Sequence, residues 1–211
     1  MHFGIKMKTL FIEARYKGKV VLPKEVIEKL PKKIGLASSI QFIGSLKGIS
    51  SQLGKGSLIA GQILGCDAKS AGKIAERVDS FLYIGDGEFH PIAIALETKK
   101  PVYKYNPKAK TLTQLDKAKI DSYERKKKGA YLKFLNAKKV GILLTTKPGQ
   151  RISDGKLKQL EQKFKDKKFY RFIADTIDYT QLENFPFIEA WVNTACPRIE
   201  EDILALNISE L

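Results

Sequence analysis

The chain contains two cysteines, and the residues around them make both thiols the first candidates for chemistry. Cys66 stands within residues 61–67 (GQILGCD), and Cys196 stands within residues 193–199 (NTACPRI). Each thiol follows an apolar run typical of a strand and precedes a segment typical of a helix. The dipole at a helix N-terminus favours the thiolate, the form that attacks substrates and binds metals. More than half of the chain lies between the two cysteines, so they form no local CxxC motif and only tertiary structure can join them.

Composition leaves three roles open for these residues: two buried thiols, one disulfide, or a metal or redox site. A chain of 211 residues with 43% hydrophobic and 29% charged residues is ordinary for a globular protein. It has no apolar run near the roughly 20 residues that a membrane span needs. Residues 1–6 (MHFGIK) contain no signal-peptide core. We therefore expect a cytoplasmic protein without a membrane span.

The net charge of +15, from 38 Lys and Arg against 23 Asp and Glu, is compatible with an acidic partner. Most of the excess is lysine scattered along the chain, for example at residues 32–33, 125–128 and 163–168. Dispersed lysines are more typical of a solubility feature or of a thermophile-like bias than of a binding groove. Direct nucleic-acid binding is therefore not the function that the charge predicts.

Apolar runs typical of strands alternate with segments typical of helices along the chain. In the first half, strands are predicted at 10–14, 33–38, 57–64, 81–84 and 102–103. The helices between them are predicted at 23–30, 40–53, 67–78 and 92–97. A boundary is predicted at 111–116, before a charged helix at 116–137 with a break near Gly129. In the second half, strands are predicted at 140–145, 170–173 and 190–193, and helices at 153–167, 179–184 and 199–206.

This alternation is typical of mostly parallel sheets with helices on their faces. The second half of the chain repeats the pattern of the first half. We therefore predict an α/β fold with two similar small domains, each a mostly parallel sheet flanked by helices. The predicted domains are residues 1–114, which contain Cys66, and residues 115–211, which contain Cys196. Each cysteine falls where a strand gives way to a helix, the place where open α/β sheets bind ligands.

Three further polar sites also follow predicted strands. Residues 85–91 (GDGEFHP) combine His90 with two glycines, including Gly87, that permit close approach of a ligand; a tight turn that caps the next helix is an equal alternative. Gln150 ends a polar loop that either holds a substrate group or is an ordinary surface loop. Arg198 would lower the pKa of the nearby thiol or clamp a carboxylate, unless it forms a surface ion pair. Hydrolase, phosphate-loop and HExxH motifs are absent from the sequence.

Four segments together resemble one known family: GQILGCDA (61–68), FLYIGDGEFHPIAIAL (81–96), LLTTKPGQ (143–150) and WVNTACPRI (191–199). Their order and spacing are similar to those of the archaeal diphthamide synthases, and the resemblance extends from residue 10 onward. It implies a transferase that moves a 3-amino-3-carboxypropyl group from S-adenosylmethionine to a histidine of elongation factor 2. It also implies a dimer or a hetero-oligomer.

In that family, each of three α/β domains contributes one cysteine to a 4Fe–4S cluster. The open iron of the cluster binds S-adenosylmethionine, which is cleaved to an aminocarboxypropyl radical. The resemblance implies that Cys66 and Cys196 are catalytic cluster ligands from the middle and last domains. It makes candidates for the S-adenosylmethionine pocket of four further residues: Gly87, His90, Gln150 and Arg198.

The family's first domain, with the third cysteine, has no counterpart in this sequence, and residues 1–4 (MHFG) resemble the end of that domain. Three explanations are open. A separate polypeptide completes the cluster, the chain is a non-catalytic partner or scaffold subunit, or the sequence is truncated. We expect the first, because both cysteines and their flanking motifs are intact and a purely structural partner needs neither.

Overall fold

The structure, a computed structural model, describes residues 10, 12–65, 67–147, 152–195 and 204–211. The chain divides into two compact units, Met1–Ile120 and Asp121–Leu211. The domain limits predicted from the sequence, 1–114 and 115–211, stay a prediction. Within the described residues, no helix has both the length and the apolar character needed to cross a membrane.

The first unit contains a five-stranded sheet with helices on both faces. Its strands are β1 (Ile34–Ser38), β2 (Ser57–Gln62), β3 (Ser80–Ile84), β4 (Val102–Asn106) and β5 (Thr111–Gln114). The order is β2-β1-β3-β4-β5, in which the first four strands are parallel and β5 is antiparallel to β4. Its helices are α1 (Lys24–Ile27), α2 (Leu46–Leu53), α3 (Lys69–Gly72) and α4 (Phe89–Thr98), with 3-10 helices at Ile40–Ser45 and Ala75–Arg77.

The central strands β1 and β3 are buried along their whole length, as expected for parallel strands covered on both faces. Successive side chains point to opposite faces of the sheet. Leu36 and Ile84 lie in one apolar cluster with Leu46 of α2. Tyr83 lies in the cluster on the other face with Ile94 of α4. Since both faces are covered, the polar loops that leave the strand ends are the parts of the sheet available for a site.

The second unit contains a four-stranded, fully parallel sheet in the order β7-β6-β8-β9, with β6 (Lys139–Thr145), β7 (Lys168–Ala174), β8 (Ala190–Asn193) and β9 (Ala205–Asn207). Its helices are α5 (Lys117–Asn136), which begins in the first unit, and α6 (Asp154–Lys163), with 3-10 helices at Tyr179–Asn184 and Ile208–Glu210. Phe134 of α5 and Leu157 of α6 lie in one apolar cluster with Val140 and Ile142 of β6.

The parallel strands of both units follow one order. In each sheet the first strand in sequence is flanked by the second and the third, and the fourth lies beyond the third. The prediction of an α/β fold with two similar, mostly parallel sheets flanked by helices is therefore confirmed.

Four local predictions were wrong or incomplete. Leu10 and residues 12–14 form no strand and are exposed, and they pair with no strand of the described chain. Residues 111–114 are β5 rather than a boundary, and they form a hairpin with β4. The helix predicted at 67–78 shortens to α3 and a 3-10 turn. Helix α5 continues through Gly129 without a break.

The helix predicted at 199–206 is also wrong in its described part. Residues Ala205–Asn207 are strand β9, which pairs in parallel with β8 from Trp191 to Asn193. Residues 199–203 lie outside the described residues. A short apolar segment beside a strand with unpaired backbone groups can form hydrogen bonds to it along its whole length. These hydrogen bonds stabilise a strand more than the local sequence pattern stabilises a helix.

Lys167 caps the C-terminal end of α5, and we expect Lys167→Met to destabilise the second unit by about 2 kcal/mol. Its side chain is 2% exposed. Its Nζ donates to the backbone oxygens of Leu135 at 2.9 Å and Ala137 at 2.8 Å. Methionine keeps the packing of the stem but leaves both oxygens without this donor. Urea unfolding measures the change against the exposed Lys165→Met, expected within about 0.5 kcal/mol of the parent; equal stability of the two variants contradicts the capping role.

Candidate functional site

Both cysteines stand beyond the carboxyl ends of parallel strands, Cys66 after β2 and Cys196 after β8. Both lie outside the described residues, as do Gln150 and Arg198, whereas Gly87 and His90 are described. Parallel sheets gather the loops that leave their carboxyl ends along one edge. In the strand order common to the two units, Cys66 follows the second strand and Cys196 follows the third. The two thiols are therefore not at equivalent positions of the repeated fold.

A tight reversal of the backbone brackets Cys66. Leu64 and Asp67 exchange backbone hydrogen bonds, with an N–O distance of 3.3 Å from the Leu64 amide and 3.0 Å from the Asp67 amide. Just before this turn, the Ile63 amide donates to the Ser38 carbonyl at 2.9 Å. The residues on both sides of Cys66 are thus fixed at the carboxyl edge of the first sheet, beside the end of β1.

The segment that leads into Cys196 is buried and fully anchored. The Thr194 amide and hydroxyl both donate to the Leu143 carbonyl of β6, at 3.1 and 2.7 Å. The Asn193 side-chain oxygen accepts from the Ala195 amide at 2.9 Å. Asn193, Thr194 and Ala195 are all buried. The two residues before Cys196 are therefore anchored, Thr194 by Leu143 of β6 and Ala195 by Asn193 at the end of β8.

The loop after β3 depends on two glycines. Gly85 and Gly87 have φ angles of 154° and 74°. A Cβ atom at Gly85 would lie 2.8 Å from the Tyr83 ring, and the Gly85 amide donates to the Tyr105 carbonyl of β4 at 3.0 Å. The Gly87 amide donates to the Asp86 carboxylate at 2.8 Å. Only residues without a side chain allow the backbone to turn this closely over the end of the strand.

The acidic residues of this loop do not cap α4, which was the alternative role for them. Glu88 occupies the N-cap position but makes no capping hydrogen bond with its side chain. Its carboxylate instead accepts from Lys119 Nζ at 2.7 Å, and this hydrogen bond lowers the pKa of Glu88. The loop is therefore tied to the first residues of α5 within the first unit.

Tyr83 and His90 form a pair that spans β3 and α4. The Tyr83 hydroxyl lies 3.2 Å from His90 Nδ1, and the two rings are stacked with centroids 5.5 Å apart and planes 14° from parallel. Burial raises the pKa of Tyr83, and hydrogen bonds with Ser39 oppose this shift. The phenol is thus protonated at neutral pH and can donate to Nδ1, which fixes the orientation of the imidazole ring.

Ser38 lies between the loops of Cys66 and His90. The strand register places it beside Gln62 of β2 and Ile84 of β3. It is fully buried, and its hydroxyl oxygen has no hydrogen-bond partner among the described residues. Buried polar atoms without partners cost free energy, and Ser80 Oγ at the start of β3 is a second such atom among the described residues. The carboxyl edge of the first sheet therefore combines the Cys66 turn, the Tyr83–His90 pair and this hydroxyl.

The loop after β6 begins with polar contacts to the loop after β7. Thr145 Oγ1 donates to the Asp175 carbonyl at 3.3 Å and accepts from the Lys147 amide at 3.1 Å. The Thr146 hydroxyl also donates to the Asp175 carboxylate. These bonds fix the start of the loop that contains Gln150, which itself lies outside the described residues.

Sequence reasoning missed Tyr83 and the hydrogen bonds of Asn193 and Thr194. The alternation of faces along β3 puts Phe81 and Tyr83 on one face, but it does not reveal that His90 packs on that face as well. The signal for Asn193 and Thr194 was available, since Asn193 is the polar last residue of β8 and Thr194 is the polar residue that follows it.

Thiolates are the donors that hold iron–sulfur clusters, and the chain provides two of them. Among the described residues, no group of three His, Cys, Asp or Glu residues is placed to hold a metal ion. The type of donor at Cys66 and Cys196 fits a cluster. Their number is one short of the three thiolates that the resemblance implies.

The chain thus contains two mostly parallel α/β units, and in the sequence of each unit a cysteine follows a strand. A model of the diphthamide synthesis protein family matches residues 2–204, and the chain belongs to this family. The chain is 32% identical to the 2-(3-amino-3-carboxypropyl)histidine synthase of Pyrococcus horikoshii, over 96% of this chain and 62% of that protein. It is also 32% identical to the enzyme of the same name from Methanocaldococcus jannaschii, over 93% of this chain and 57% of that protein.

A solved structure is similar as well. The crystal structure of Dph2 from Pyrococcus horikoshii with a 4Fe-4S cluster matches with a TM-score of 0.71 and 30% identity, over 87% of this chain and 57% of that chain. The present chain thus spans about three fifths of the length of the proteins it matches. The predicted membership of the diphthamide synthase family is confirmed.

Proposed function

We propose that this chain is part of the cytoplasmic enzyme that transfers a 3-amino-3-carboxypropyl group from S-adenosylmethionine to a histidine of elongation factor 2. This transfer is the first step of diphthamide synthesis. The observation that supports it most strongly is the family match across residues 2–204, within which Cys66 follows β2 and Cys196 follows β8 in the sequence. The relatives named as 2-(3-amino-3-carboxypropyl)histidine synthases give the class of reaction.

In this proposal Cys66 and Cys196 are ligands of a 4Fe–4S cluster. When bound, the cluster supplies the open iron and the electron with which S-adenosylmethionine is cleaved to an aminocarboxypropyl radical. The protein would supply two thiolates, from Cys66 and Cys196. The hydrogen bonds of Leu64 with Asp67 and of Thr194 with Leu143 restrain the residues beside each thiol. Such restraint favours one ligand geometry and lowers the entropy lost on binding.

The remaining candidates are proposed to bind S-adenosylmethionine. A guanidinium at Arg198 suits the carboxylate of the aminocarboxypropyl group, and an amide at Gln150 suits its amine or carboxylate. His90, whose Nδ1 lies 3.2 Å from the Tyr83 hydroxyl, stands at the edge of the first sheet. Gly87 keeps the adjacent loop free of side-chain bulk. These residues would orient the substrate.

We further propose that the third thiolate comes from outside residues 1–211, from a part that corresponds to the family's first domain. The two cysteines of this chain are insufficient alone. The lack of a third cysteine in residues 1–211 also favours a second candidate function, in which the chain is a non-catalytic scaffold subunit of a complete synthase. The two candidates differ in whether Cys66 and Cys196 bind iron.

Anaerobic reconstitution with iron and sulfide separates the candidates. We expect cluster absorbance and bound iron when this chain is mixed with the separately expressed first domain of the Pyrococcus horikoshii synthase, and neither with this chain alone. If the mixture forms no cluster, the proposal that a first domain completes the cluster fails and the scaffold candidate gains support.

A further inference from the structure

A pocket of about 380 Å³ lies in the first unit, between residues 16–23 and the loop that joins β4 to β5. Its two charged lining residues are Lys19 and Lys110, its aromatic ones are Tyr16 and Tyr105, and the rest of its lining is valine and proline. Its volume falls in the range of roughly 300–1,000 Å³ that is typical of small-molecule sites. None of the residues named in the proposed function lines this pocket.

The two segments that form the pocket are basic and contain no acidic residue. Residues 15–24 (RYKGKVVLPK) contain four Lys or Arg, residues 99–110 (KKPVYKYNPKAK) contain five, and neither segment contains Asp or Glu. The sequence separates these lysines, and the fold brings them together. The side chains of Lys19 and Lys110 form no ion pair within the part of the chain that the structure describes. The acids that flank the two segments in the sequence line no part of the pocket: Glu13, Glu25, Glu97 and Asp116. Two positive charges beside one pocket favour an anionic ligand.

Lys110 stands at a backbone position that suits glycine better than lysine. It ends the four-residue loop between β4 and β5, and its φ is 54°. The turn is fixed, because the Asn106 side chain accepts from the Lys108 and Ala109 amides at 3.0 and 3.1 Å. Lys99, the other described non-glycine residue with positive φ, is the C-cap of α4, where this conformation is ordinary. A lysine at a strained position on the rim of a pocket is typical of a ligand contact.

Two tyrosines form fixed aromatic walls. Tyr16 is 43% exposed, yet its amide donates to the Gln41 carbonyl at 2.7 Å and its ring packs on Phe42 with centroids 5.4 Å apart. The uncovered surface of this ring is available for stacking with a planar group. Tyr105 is buried, and its hydroxyl makes only a long hydrogen bond of 3.5 Å, to the Val21 carbonyl. Burial raises the pKa of Tyr105, so the phenol is protonated at neutral pH and can donate to an anion instead.

We propose that this pocket binds a nucleoside phosphate, with the phosphate near Lys19 and Lys110 and the base against Tyr16. Lysine ammonium groups bind phosphates as point charges, and every nucleobase has a face that stacks on an aromatic ring. The nucleotide is either free or one unit of a single-stranded RNA. S-adenosylmethionine carries a sulfonium cation and no phosphate, so a pocket with two lysines is unsuited to it. The inference therefore goes beyond the proposed function and does not depend on it.

Binding of AMP, and of a short labelled single strand of oligoadenylate, to the chain tests the proposal by calorimetry and fluorescence anisotropy. We expect Lys19→Gln and Lys110→Gly each to weaken the affinity by at least about fivefold. The matched control is Lys108→Gln, which removes a charge from the same turn but outside the lining and should stay within about twofold of the parent. Tyr16→Leu should weaken binding by about fivefold or more, whereas Tyr16→Phe keeps the ring and should bind like the parent. Urea unfolding should show Lys110→Gly to be at least as stable as the parent, because glycine relieves the positive φ.

The probes distinguish the two sources of the nucleotide. With the variant pattern above, binding of AMP indicates a free nucleotide, and binding of the oligoadenylate alone indicates a unit of an RNA strand. An equal loss in Lys108→Gln overturns the proposal, because general positive charge then explains the binding. Parent-like affinity of Tyr16→Leu, displacement of the probe by hexaglutamate or by S-adenosylmethionine at equal concentration, or no binding of either probe also overturns it. The proposed function survives each of these results, since its own test is cluster assembly.

Discussion

Replacing Cys196 with alanine should abolish cleavage of S-adenosylmethionine by the assembled enzyme. The loss follows from the role proposed for the thiolate, since a cluster with only two protein ligands is poorly held and alanine offers no donor. The backbone around this position should survive the change. Thr194 and Ala195 are held through Leu143 and Asn193, and none of these hydrogen bonds involves the thiol. The expected phenotype is therefore a folded protein without a cluster.

Alkylation provides a readout that does not depend on turnover. Because the chain has two cysteines, mass spectrometry after iodoacetamide treatment counts them directly. In the reconstituted parent complex both thiols should be protected from alkylation. In Cys196→Ala the remaining Cys66 should become reactive, while the unfolding temperature stays near that of the parent. Undiminished cleavage, or continued protection of Cys66, would remove Cys196 from the site.

The central strands were predictable because their signal is local. β1, β3 and β6 are continuous apolar runs, and such runs are typical of parallel strands buried on both faces. Strand β8 has the limits that the sequence predicts. The repeated alternation of strands and helices was enough to identify two similar units, since that alternation itself requires parallel connections.

The edges of both sheets were less predictable because their signal lies in a partner strand. Residues 205–207 become β9 only because β8 presents free hydrogen-bonding groups beside them, and residues 111–114 become β5 only through pairing with β4. Leu10 and Ile12 show the reverse case, in which an apolar run finds no partner among the described residues and stays exposed. Local composition does not distinguish these outcomes.

The same distinction applies to the candidate site. The motif around Cys196 was visible in the sequence, but its anchor is Leu143, which is 51 positions away. The loop after β3 was visible because of its glycines, whereas its partner Tyr83 was taken for an ordinary apolar strand residue. The contact between the Tyr83 hydroxyl and His90 exists because α4 folds back over the end of β3. Sequence patterns thus identified the loops, and tertiary packing determines what each loop contacts.

Two glycine-to-alanine substitutions in the second unit should have opposite effects on stability. Gly141 lies in β6, and a Cβ atom there would be 2.3 Å from the Trp191 ring and 3.1 Å from Ile188. The ring cannot move freely, because it also packs against Phe172 with centroids 4.9 Å apart. We therefore expect Gly141→Ala to lower the free energy of unfolding by about 2–3 kcal/mol.

Gly129 provides the matched control, because the same methyl group is added to the same unit without a clash. It lies in the interior of α5, and the nearest atom to a Cβ there would be Leu204 Cδ1 at 3.8 Å, an ordinary contact. Gly129→Ala should raise the free energy of unfolding by about 1 kcal/mol, since alanine loses less entropy than glycine in a helix. Urea unfolding of both variants measures the difference. If Gly141→Ala is as stable as the parent, Trp191 does not lie across β6 as described, and the position of β8 leading to Cys196 would have to be revised.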